Sequence, residues 1–424
     1  MPTRLRFVES GGIFGTQPIN TLRAEKKMYL NIGIDVAKTV HEACLVNENG
    51  EQIGKFFRLK NSKKSIEKFT KHIESVSKEL NAKPRIGMEA TGIYWYSLFS
   101  ELSKKYKIHI YNPSQISGFA SVNIRDSKTD KIDAKTIANM LRFGESPKTN
   151  YSDTQRLELR EYGRFYFKLT SIKINLKKRL RRNLHLIFPG YDEIFKNLYT
   201  ATSKEIITNI TTPEKVLEMG EKKLLELMKE KSKNHIDPDK AKILIEKAED
   251  TIPSEIIKES SLFEFQMMLE MIEYYEKQIA AIENKMMLIW NKVREKHYIQ
   301  TITGVSELRA AMIWAEMGNV DDFTHPDQIV AFAGYDPKVR KSGNKEVIGG
   351  PNKRGSKILR WVLGWAVQEA KCSNSVIGQY FDKKIEQGKH YNNARCAAAK
   401  KLIRIIWSVE KNKKPFQIPV NLLS

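Results

Sequence analysis

Between residues 28 and 150, short apolar runs alternate with stretches whose apolar positions have helical spacing. Apolar runs rich in β-branched residues predict buried strands, and apolar positions three and four residues apart predict helices. Asn49-Gly50 separates two of the runs and favours a hairpin turn. The predicted strands are 29–36, 41–47, 52–59, 85–89 and 108–111, and the predicted helices are 61–80, 93–105 and one that opens at Asp130. This order is typical of an α/β domain with a mixed sheet.

From residue 151 to 297 the spacing is helical throughout. One long series of apolar positions repeats by threes and fours and predicts an antiparallel helical hairpin or a coiled coil. An ordinary helix that faces a core produces the same pattern. The series consists of Leu262, Phe265, Leu269, Ile272, Tyr275, Ile279, Ile282, Met286, Ile289 and Val293.

The third region, 298–424, is predicted to be mostly helical, with a polar loop at 336–357 and a basic helix at 394–409. Residues 1–27 have no periodicity, and Met28 directly precedes the first predicted strand. We therefore expect translation to start at Met28, with residues 1–27 as an extension absent from the native protein or as a loose arm.

The charge of the chain points to a polyanionic partner. The 424 residues include 72 Lys and Arg against 50 Asp and Glu, for a net charge of +22. Nucleic acid is the expected partner of such a surface. A membrane partner is not expected, because the sequence has neither a long apolar run nor a basic amphipathic anchor. Cys44, Cys372 and Cys396 are scattered, which indicates reduced thiols of a cytoplasmic protein.

Four carboxylates stand where α/β folds place their sites. Asp35 ends the first predicted strand, Glu89 ends the fourth, and Asp130 and Asp133 share one face of a helix start. If that helix packs beside the strand ends, the four acids converge and need a divalent cation to offset their repulsion. Oxygen ligands select Mg²⁺ or Mn²⁺, which can support phosphodiester chemistry. Alternatively, Asp130 is a helix cap and Asp133 a first-turn acid that the helix dipole favours.

Basic residues lie next to these acids and are frequent in one later predicted helix. Lys128 and Lys131 flank Asp130, and the stretch 168–182 contains seven Lys or Arg and no acid. A run with charges of one sign favours phosphate contact, although a solvated helix face gives the same composition. The predicted nucleic-acid contacts in this run are Lys173, Lys177, Lys178, Arg179, Arg181 and Arg182.

With these residues assembled, the chain resembles the DEDD insertion-sequence transposases. These are bridge-RNA-guided recombinases with a RuvC-like (RNase H-like) first domain and a serine-bearing, mostly helical second transposase domain. The motifs that carry the resemblance are IGIDVAK at 32–38, MEATGIYW at 88–95, YNPSQ at 111–115, KTDKIDAKTIA at 128–138, ITGVSELRAAMIWAEMGNVDDF at 302–323, IVAFAGYDPKVRKSG at 329–343 and GGPNKRGSKILRWVL at 349–363.

The resemblance implies a role for particular residues. Asp35, Glu89, Asp130 and Asp133 match the family's metal-binding tetrad, and Ser342 matches its nucleophilic serine. By residue type alone, Ser342-Gly343 is typical of a turn. Four neighbouring cations would stabilise phosphate charge or bind the DNA backbone, namely Arg340, Lys341, Lys353 and Arg354.

The resemblance also implies a helix-hairpin-helix-like element and several partners. Gly304-Val305-Ser306 precedes a predicted helix at 307–317, whose first amides would hold a DNA phosphate. The implied partners are donor and target DNA, a structured non-coding guide RNA, and further subunits in a dimer or tetramer. The implied setting is the cytoplasm of a bacterium or archaeon.

Three other functional interpretations of these residues remain open. A metal-dependent RuvC-like nuclease or junction resolvase would use the acids alone and hydrolyse DNA. An actin-like or sugar-kinase-like ATPase has a phosphate loop similar to IGIDVAKT, but it needs a second, Asp-Gly phosphate loop that the sequence lacks. A non-catalytic nucleic-acid-binding protein would not need the complete set of acids.

Overall fold

The computed structural model describes residues 28–90, 92–111, 113–120, 129–144, 154–342, 345–373 and 375–418, with the backbone alone at 114, 339–342 and 345–348. The chain divides into two compact units, Met1–Thr149 and Asn150–Ser424.

The first unit is built on a five-stranded mixed sheet in the order β3-β2-β1-β4-β5. Strands β1, β4 and β5 are parallel, whereas β2 runs antiparallel to β1 and β3. The strands are β1 Tyr29–Asp35, β2 Val40–Val46, β3 Phe57–Lys60, β4 Lys83–Glu89 and β5 Ile108–Tyr111. The helices are α1 Lys63–Glu79, α2 Trp95–Leu102, α3 Pro113–Ala120 and α4 Asp130–Arg142. This arrangement confirms the predicted RuvC-like α/β fold.

Two details of the first unit differ from the prediction. The third strand begins at Phe57 instead of residue 52, because the chain turns at Gly54, whose φ is +68°. Helix α3 was not predicted, because Pro113 follows the predicted strand 108–111 and usually interrupts regular structure. Proline is also favoured in the first turn of a helix, where its missing N–H costs nothing, and α3 begins at this proline.

In its described residues, the second unit is helical apart from one hairpin. Its helices are α5 Thr154–Ile187, α6 Tyr191–Ile194, α7 Ala201–Asn209, α8 Pro213–Ser232, α9 Asp239–Asp250, α10 Lys258–Val293, α11 Glu307–Met317, α12 Pro326–Phe332, α13 Lys357–Cys372, α14 Val376–Glu386 and α15 Tyr391–Asn412. Short 3-10 turns cover Glu255–Ile257, Arg294–Lys296, Ile299–Thr301 and Val320–Asp322.

Helices α5 and α10 pack against each other in opposite directions, and the apolar series of α10 also faces the cores of this unit, so both alternatives for this series describe part of the structure. The second half of α5 shares a core with the first half of α10 and with α7 to α9. The first half of α5 shares another core with the second half of α10 and with α11 to α15. The two long helices therefore run through both cores of this unit.

The predicted polar loop at 336–357 is wrong. The structure forms an antiparallel hairpin there, with β6 at Pro337–Ser342 and β7 at Lys345–Pro351. Lys, Arg and Gly interrupt the β-branched residues of this segment, so that the usual apolar alternation of a strand is absent from the sequence. Within the described ranges, no helix is long and apolar enough to cross a membrane.

Candidate active site

Two carboxylates end neighbouring parallel strands of the first unit. Asp35 is the last residue of β1 and Glu89 the last of β4. Ile34 lies opposite Met88 in the parallel register, so both acids follow at the same end of the sheet. Both residues are half-buried. The strand-end prediction for this pair therefore agrees with the register.

Two glycines bring helix α4 directly onto these strands. A Cβ added at Gly33 would lie 2.0 Å from the carbonyl oxygen of Ala134, and one added at Gly87 would lie 2.9 Å from Cγ2 of Ile137. Side chains two residues apart share a face of a strand. Asp35 and Glu89, each two residues after a glycine, therefore lie on the face that α4 covers.

The first turn of α4 brings the other two acids to the same end of the sheet. Asp133 directly precedes Ala134, the residue that sits on Gly33. Thr129 is the N-cap, and its hydroxyl accepts a hydrogen bond from the Ile132 amide. The alternative that Asp130 caps the helix is therefore wrong. We call the end of the sheet that carries Asp35, Glu89, Asp130 and Asp133 the acidic edge.

A fifth carboxylate, which the sequence analysis did not select, lies beside Asp35. Glu42 of β2 is directly opposite Asp35 in the antiparallel register and is only 7% exposed. Its Oε1 lies 3.1 Å from Nε of Arg58, whereas its buried Oε2 has no hydrogen-bond partner. A charged residue inside the buried strand VHEACLV was the signal in the sequence that could have revealed it.

A histidine of the same strand holds the turn that follows Asp35. Nδ1 of His41 accepts a hydrogen bond of 3.1 Å from the Ala37 amide. Burial lowers the pKa of His41 below its ordinary value, because it disfavours the charged imidazolium. A neutral ring can accept this bond, so His41 stabilises the chain directly after Asp35.

The acidic edge fits a hard divalent cation by the chemistry of its donors. Its members supply carboxylate oxygens, the ligands that Mg²⁺ and Mn²⁺ prefer. The buried Oε2 of Glu42 adds an oxygen whose loss of hydration is not offset by a hydrogen bond. Within the part of the chain that the structure describes, no three His, Cys, Asp or Glu side chains stand close enough to hold a metal ion. The backbone thus assembles the acids at one edge without closing their side chains around a point.

The predicted serine belongs to the second unit. Ser342 is the last residue of β6 and pairs with Lys345 of β7. The side chains of Ser342, Arg340 and Lys341 lie outside the described part, as does the whole of Lys128. Three other cations predicted near the acids or the serine have described side chains, and all three are exposed: Lys131, Lys353 and Arg354.

Much of the basic run on α5 is paired with acids. Nζ of Lys177 lies 3.0 Å and Nζ of Lys173 3.8 Å from Oε1 of Glu276 on α10. Arg179 lies 2.7 Å from Glu264, also on α10, and Arg181 lies 3.9 Å from Asp192. Among the described ion pairs, Lys178 and Arg182 have none, and both are exposed. The run therefore joins α5 to α10 and leaves Lys178 and Arg182 outside direct ion pairs, although the charge of Arg182 also acts on Glu264.

The carboxylate of Glu369 lies beside the predicted phosphate site at Gly304. Gly304 has φ +84° and packs against Ala370 of α13, with a hypothetical Cβ only 2.4 Å from its Cα. Ser306, the N-cap of α11, donates its hydroxyl to Oε2 of Glu369 at 2.8 Å. Arg309 pairs with the same carboxylate at 3.0 Å. A phosphate at this helix start would have to meet Glu369.

Comparison with known proteins covers both units. A family model for DEDD transposases of the IS110 type matches residues 32–189. A second model, described as transposase IS116/IS110/IS902 family, matches residues 296–382. The first match contains all four acids of the acidic edge, and the second contains Ser342.

Individual relatives point to the same family. The chain is 22% identical over 401 residues to the transposase for insertion sequence element IS1111A of Coxiella burnetii, which covers 91% of each chain. It is 36% identical over 115 residues to a pilin gene-inverting protein of Moraxella lacunata, 27% of this chain and 33% of that protein. A transposase for element IS1328 of Yersinia enterocolitica is 25% identical over 140 residues, 32% of this chain and 42% of that protein. The chain belongs to the IS110-type DEDD family of insertion-sequence transposases.

Proposed function

We propose that this transposase catalyses RNA-guided exchange of DNA strands, with the acidic edge and Ser342 as its two catalytic parts. The observation that carries the proposal is the acidic edge itself. Four acids lie on two strand ends and one helix start at the same end of the sheet, and two glycines allow the helix to approach the strands closely. Transposases cut and rejoin DNA, and carboxylate clusters of this kind serve phosphodiester chemistry.

The acids would hold Mg²⁺ or Mn²⁺ through Asp35, Glu89, Asp130 and Asp133. A bound divalent cation supplies positive charge that offsets the carboxylates and stabilises charge on a reacting phosphate. Glu42 has the position to add to this cation affinity, because it lies opposite Asp35 with an unpaired buried oxygen. His41 would keep Asp35 in place through the Ala37 amide.

Ser342 would act as the nucleophile. Its Oγ would form a bond to phosphorus while the bond from phosphorus to the leaving DNA oxygen breaks. The serine proton leaves to a base, and a proton is supplied to the departing DNA hydroxyl. A hydroxyl of the second DNA strand then reverses this step and releases the serine. Arg340, Lys341, Lys353 and Arg354 would bind the phosphates around the reacting one.

Strand exchange is favoured over hydrolysis by one of the relatives. The Moraxella lacunata protein is named for inverting a pilin gene. Inversion requires that cut DNA ends be rejoined, and a covalent serine–DNA bond conserves the energy needed for rejoining. Hydrolysis by the acids alone is the second candidate function, and it would leave Ser342 dispensable.

The partners in this proposal are donor DNA, target DNA and a structured guide RNA. Base pairing with the RNA would select the sequences, so that the protein reads backbone and helix shape. Lys178 and Arg182 on α5, which are exposed and form no described direct ion pair, would contact the backbone. Because the acids and the serine belong to different units, a dimer or tetramer could combine them from different subunits.

The test is strand exchange by purified protein with RNA, a labelled donor–target DNA pair and Mg²⁺. Ser342→Ala and Asp130→Asn should each lower the yield of joined DNA by roughly 100-fold or more. Ser260→Ala and Asp239→Asn are matched controls, since Ser260 is exposed and Asp239 is a first-turn acid of α9. Hydrolysed products from Ser342→Ala at the wild-type rate would contradict the serine mechanism and identify a metal-dependent nuclease.

A further inference from the structure

A cleft of about 870 Å³ in the second unit shares only Lys353 with the residues of the proposed chemistry. It lies between α5, the end of β7, α13 and the start of α15. We call it the aromatic cleft. Its lining combines aromatic side chains with cations.

One wall of the aromatic cleft is a row of rings in edge-to-face contact. The Phe167 ring lies 5.1 Å from Trp361, and Trp361 lies 6.3 Å from Trp365, centroid to centroid. Trp365 is 41% exposed and Tyr391 is 42% exposed. Both large rings thus offer surface to a ligand instead of filling a core.

The wall is fixed from behind. The guanidinium of Arg309 lies 5.7 Å from the Trp361 ring and 5.9 Å from the Trp365 ring. Glu369 holds Arg309 in this position through a 3.0 Å ion pair. A ring that is already held in place loses little entropy when a planar ligand stacks on it.

The charge of the lining has one sign. The cleft is lined by Lys353, Lys357, Arg360 and Arg395, and by no Asp or Glu. Among the described ion pairs, Lys353, Lys357 and Arg395 have no acidic partner. Nζ of Lys357 lies 5.5 Å from the Phe167 ring. Exposed aromatic rings beside unpaired cations are the features that bind single-stranded nucleic acid by stacking and phosphate contact.

We propose that the aromatic cleft binds an unpaired stretch of nucleic acid, with a base stacked on Trp365 or Tyr391 and its phosphates beside Lys353, Lys357 and Arg395. The inference rests on the proposed function in so far as strand exchange exposes unpaired nucleotides. Charge complementarity selects this occupant over an apolar protein partner. The stretch belongs to DNA opened for exchange or to a single-stranded part of the RNA, and the chemistry is shared.

The aromatic cleft lies at the base of the hairpin that carries Ser342. Pro351 lines the cleft and pairs with Pro337 at the base of the hairpin. Ser342 is five residues along β6 from Pro337, which corresponds to about 17 Å at a rise of roughly 3.3 Å per residue. Nucleotides held in the cleft would therefore be anchored at the base of the strand that carries the serine.

The first test measures affinity by fluorescence anisotropy, using the full chain with Ser342→Ala and no divalent cation. The probes are labelled single strands of deoxythymidine and of uridine, and a blunt DNA duplex of equal length. Trp365→Ala should weaken single-strand binding about 5- to 150-fold, and Trp365→Phe should weaken it less. Leu288→Ala, which removes another exposed apolar side chain, should change nothing. A preference for thymidine or uridine identifies the source of the strand.

The charge is tested with Lys357→Gln against Lys222→Gln, an exposed lysine of α8. Lys357→Gln should weaken single-strand binding and lower the slope of log affinity against log salt concentration by about 0.7. Lys222→Gln should change neither the affinity nor the slope. Equal weakening of duplex and single strand by Trp365→Ala would overturn the stacking proposal.

A cross-linking experiment locates the contact. A single strand that carries 5-iodouracil should cross-link on irradiation to the α13 or α15 peptide, and Trp365→Ala with Tyr391→Ala should abolish that peptide adduct. Unchanged affinity of the double variant overturns the proposal. A changed oligomer mass in light scattering, with unchanged oligonucleotide affinity, also overturns it and assigns the surface to a subunit contact. Strand exchange measured in parallel with intact Ser342 separates failure of this inference from failure of the proposed function.

Discussion

Gly33 and Gly87 are the residues on which the acidic edge depends most directly, although neither has chemistry of its own. Gly33→Ala would place a methyl group 2.0 Å from the carbonyl oxygen of Ala134 and force α4 away from β1. We expect the free energy of unfolding to fall by about 1–3 kcal/mol, with a larger proportional loss of strand exchange because Asp130 and Asp133 move with the helix. Urea unfolding and the exchange assay measure the two effects.

The matched control for this substitution is Gly118→Ala in α3, where an added Cβ would have no neighbour within 4 Å. Alanine is the better helix former, so this variant should be neutral or slightly stabilised. If Gly33→Ala retained both wild-type stability and activity, the close approach of α4 would not matter to the site.

Glu42 provides a residue-scale test of the acidic edge that does not depend on catalysis. Glu42→Gln keeps the shape of the side chain and removes its charge. We expect the affinity for Mn²⁺, measured by titration with paramagnetic detection of the free ion, to fall about 10-fold or more. Glu48→Gln is the control, because Glu48 pairs with Arg85 at the opposite end of the sheet. Equal Mn²⁺ affinity in the two variants would exclude Glu42 from the cation site.

His109 of β5 makes the stability of the first unit depend on pH. Burial, with the charges of Lys107 and Arg85, lowers its pKa from 6.5 to about 4. The unfolded chain therefore takes up this proton first as the pH falls, so stability is complete above pH 6.5 and decreases towards pH 4. At about 1.4 kcal/mol per pKa unit, the loss reaches about 3 kcal/mol.

Chemical denaturation at several pH values checks this expectation. His109→Gln should flatten the decrease between pH 6.5 and 4, whereas His235→Gln, at an exposed position, should leave it unchanged. A wild-type slope that survives His109→Gln would assign the pH dependence to other groups.

At the scale of elements, helix α5 carries two kinds of cation, those that form ion pairs with acids of α10 and those without a described ion pair. Lys173 and Lys177 pair with Glu276 of α10, whereas Lys178 and Arg182 have no described ion pair. Lys178→Ala with Arg182→Ala should lower the slope of log affinity against log salt by about 1.8 for duplex DNA and leave unfolding unchanged.

Lys173→Ala with Lys177→Ala removes the same charge from the same helix. It should lower the free energy of unfolding by up to about 1 kcal/mol, since these ion pairs are partly exposed, with little change in the salt slope. Equal salt slopes for the two double variants would show that α5 does not distinguish its cations in this way.

The elements that the sequence predicted best are those whose burial follows one clear period. The apolar series of α10 is buried almost throughout, from Phe265 to Val293, because both cores press on one face of the helix. The hairpin β6–β7 escaped prediction because its residues alternate too little to indicate a buried face. Pairing between its strands, which is long-range information, decides that structure.

At the scale of the whole molecule, the two parts of the proposed active site differ in what a sequence can reveal. Asp35 and Glu89 were predictable from residue patterns, because each ends an apolar strand. Glu42 was not, since its position opposite Asp35 and the burial of its carboxylate follow from the register of the strands. Ser342 was identified only by resemblance to a family, because a serine at the end of a polar strand has no distinguishing pattern.

If the acids and Ser342 both take part in catalysis, as proposed, the reaction needs groups from both units of the chain. The acids belong to the unit before residue 150 and Ser342 to the unit after it. Mixing inactive Ser342→Ala with inactive Asp130→Asn protein should restore part of the strand exchange if one subunit can supply the acids and another the serine. No restoration, in hetero-oligomers whose formation is verified, would show that both parts must come from one chain.

The most direct measurement is recovery of the covalent intermediate. Wild-type protein, RNA, Mg²⁺ and donor–target DNA would be denatured during the reaction, digested, and searched by mass spectrometry for a peptide joined to a nucleotide. A phosphodiester on Ser342 is expected, and it should be absent from Ser342→Ala and strongly reduced in Asp130→Asn. Joined DNA without any serine adduct, or an adduct on another residue, would contradict this expectation.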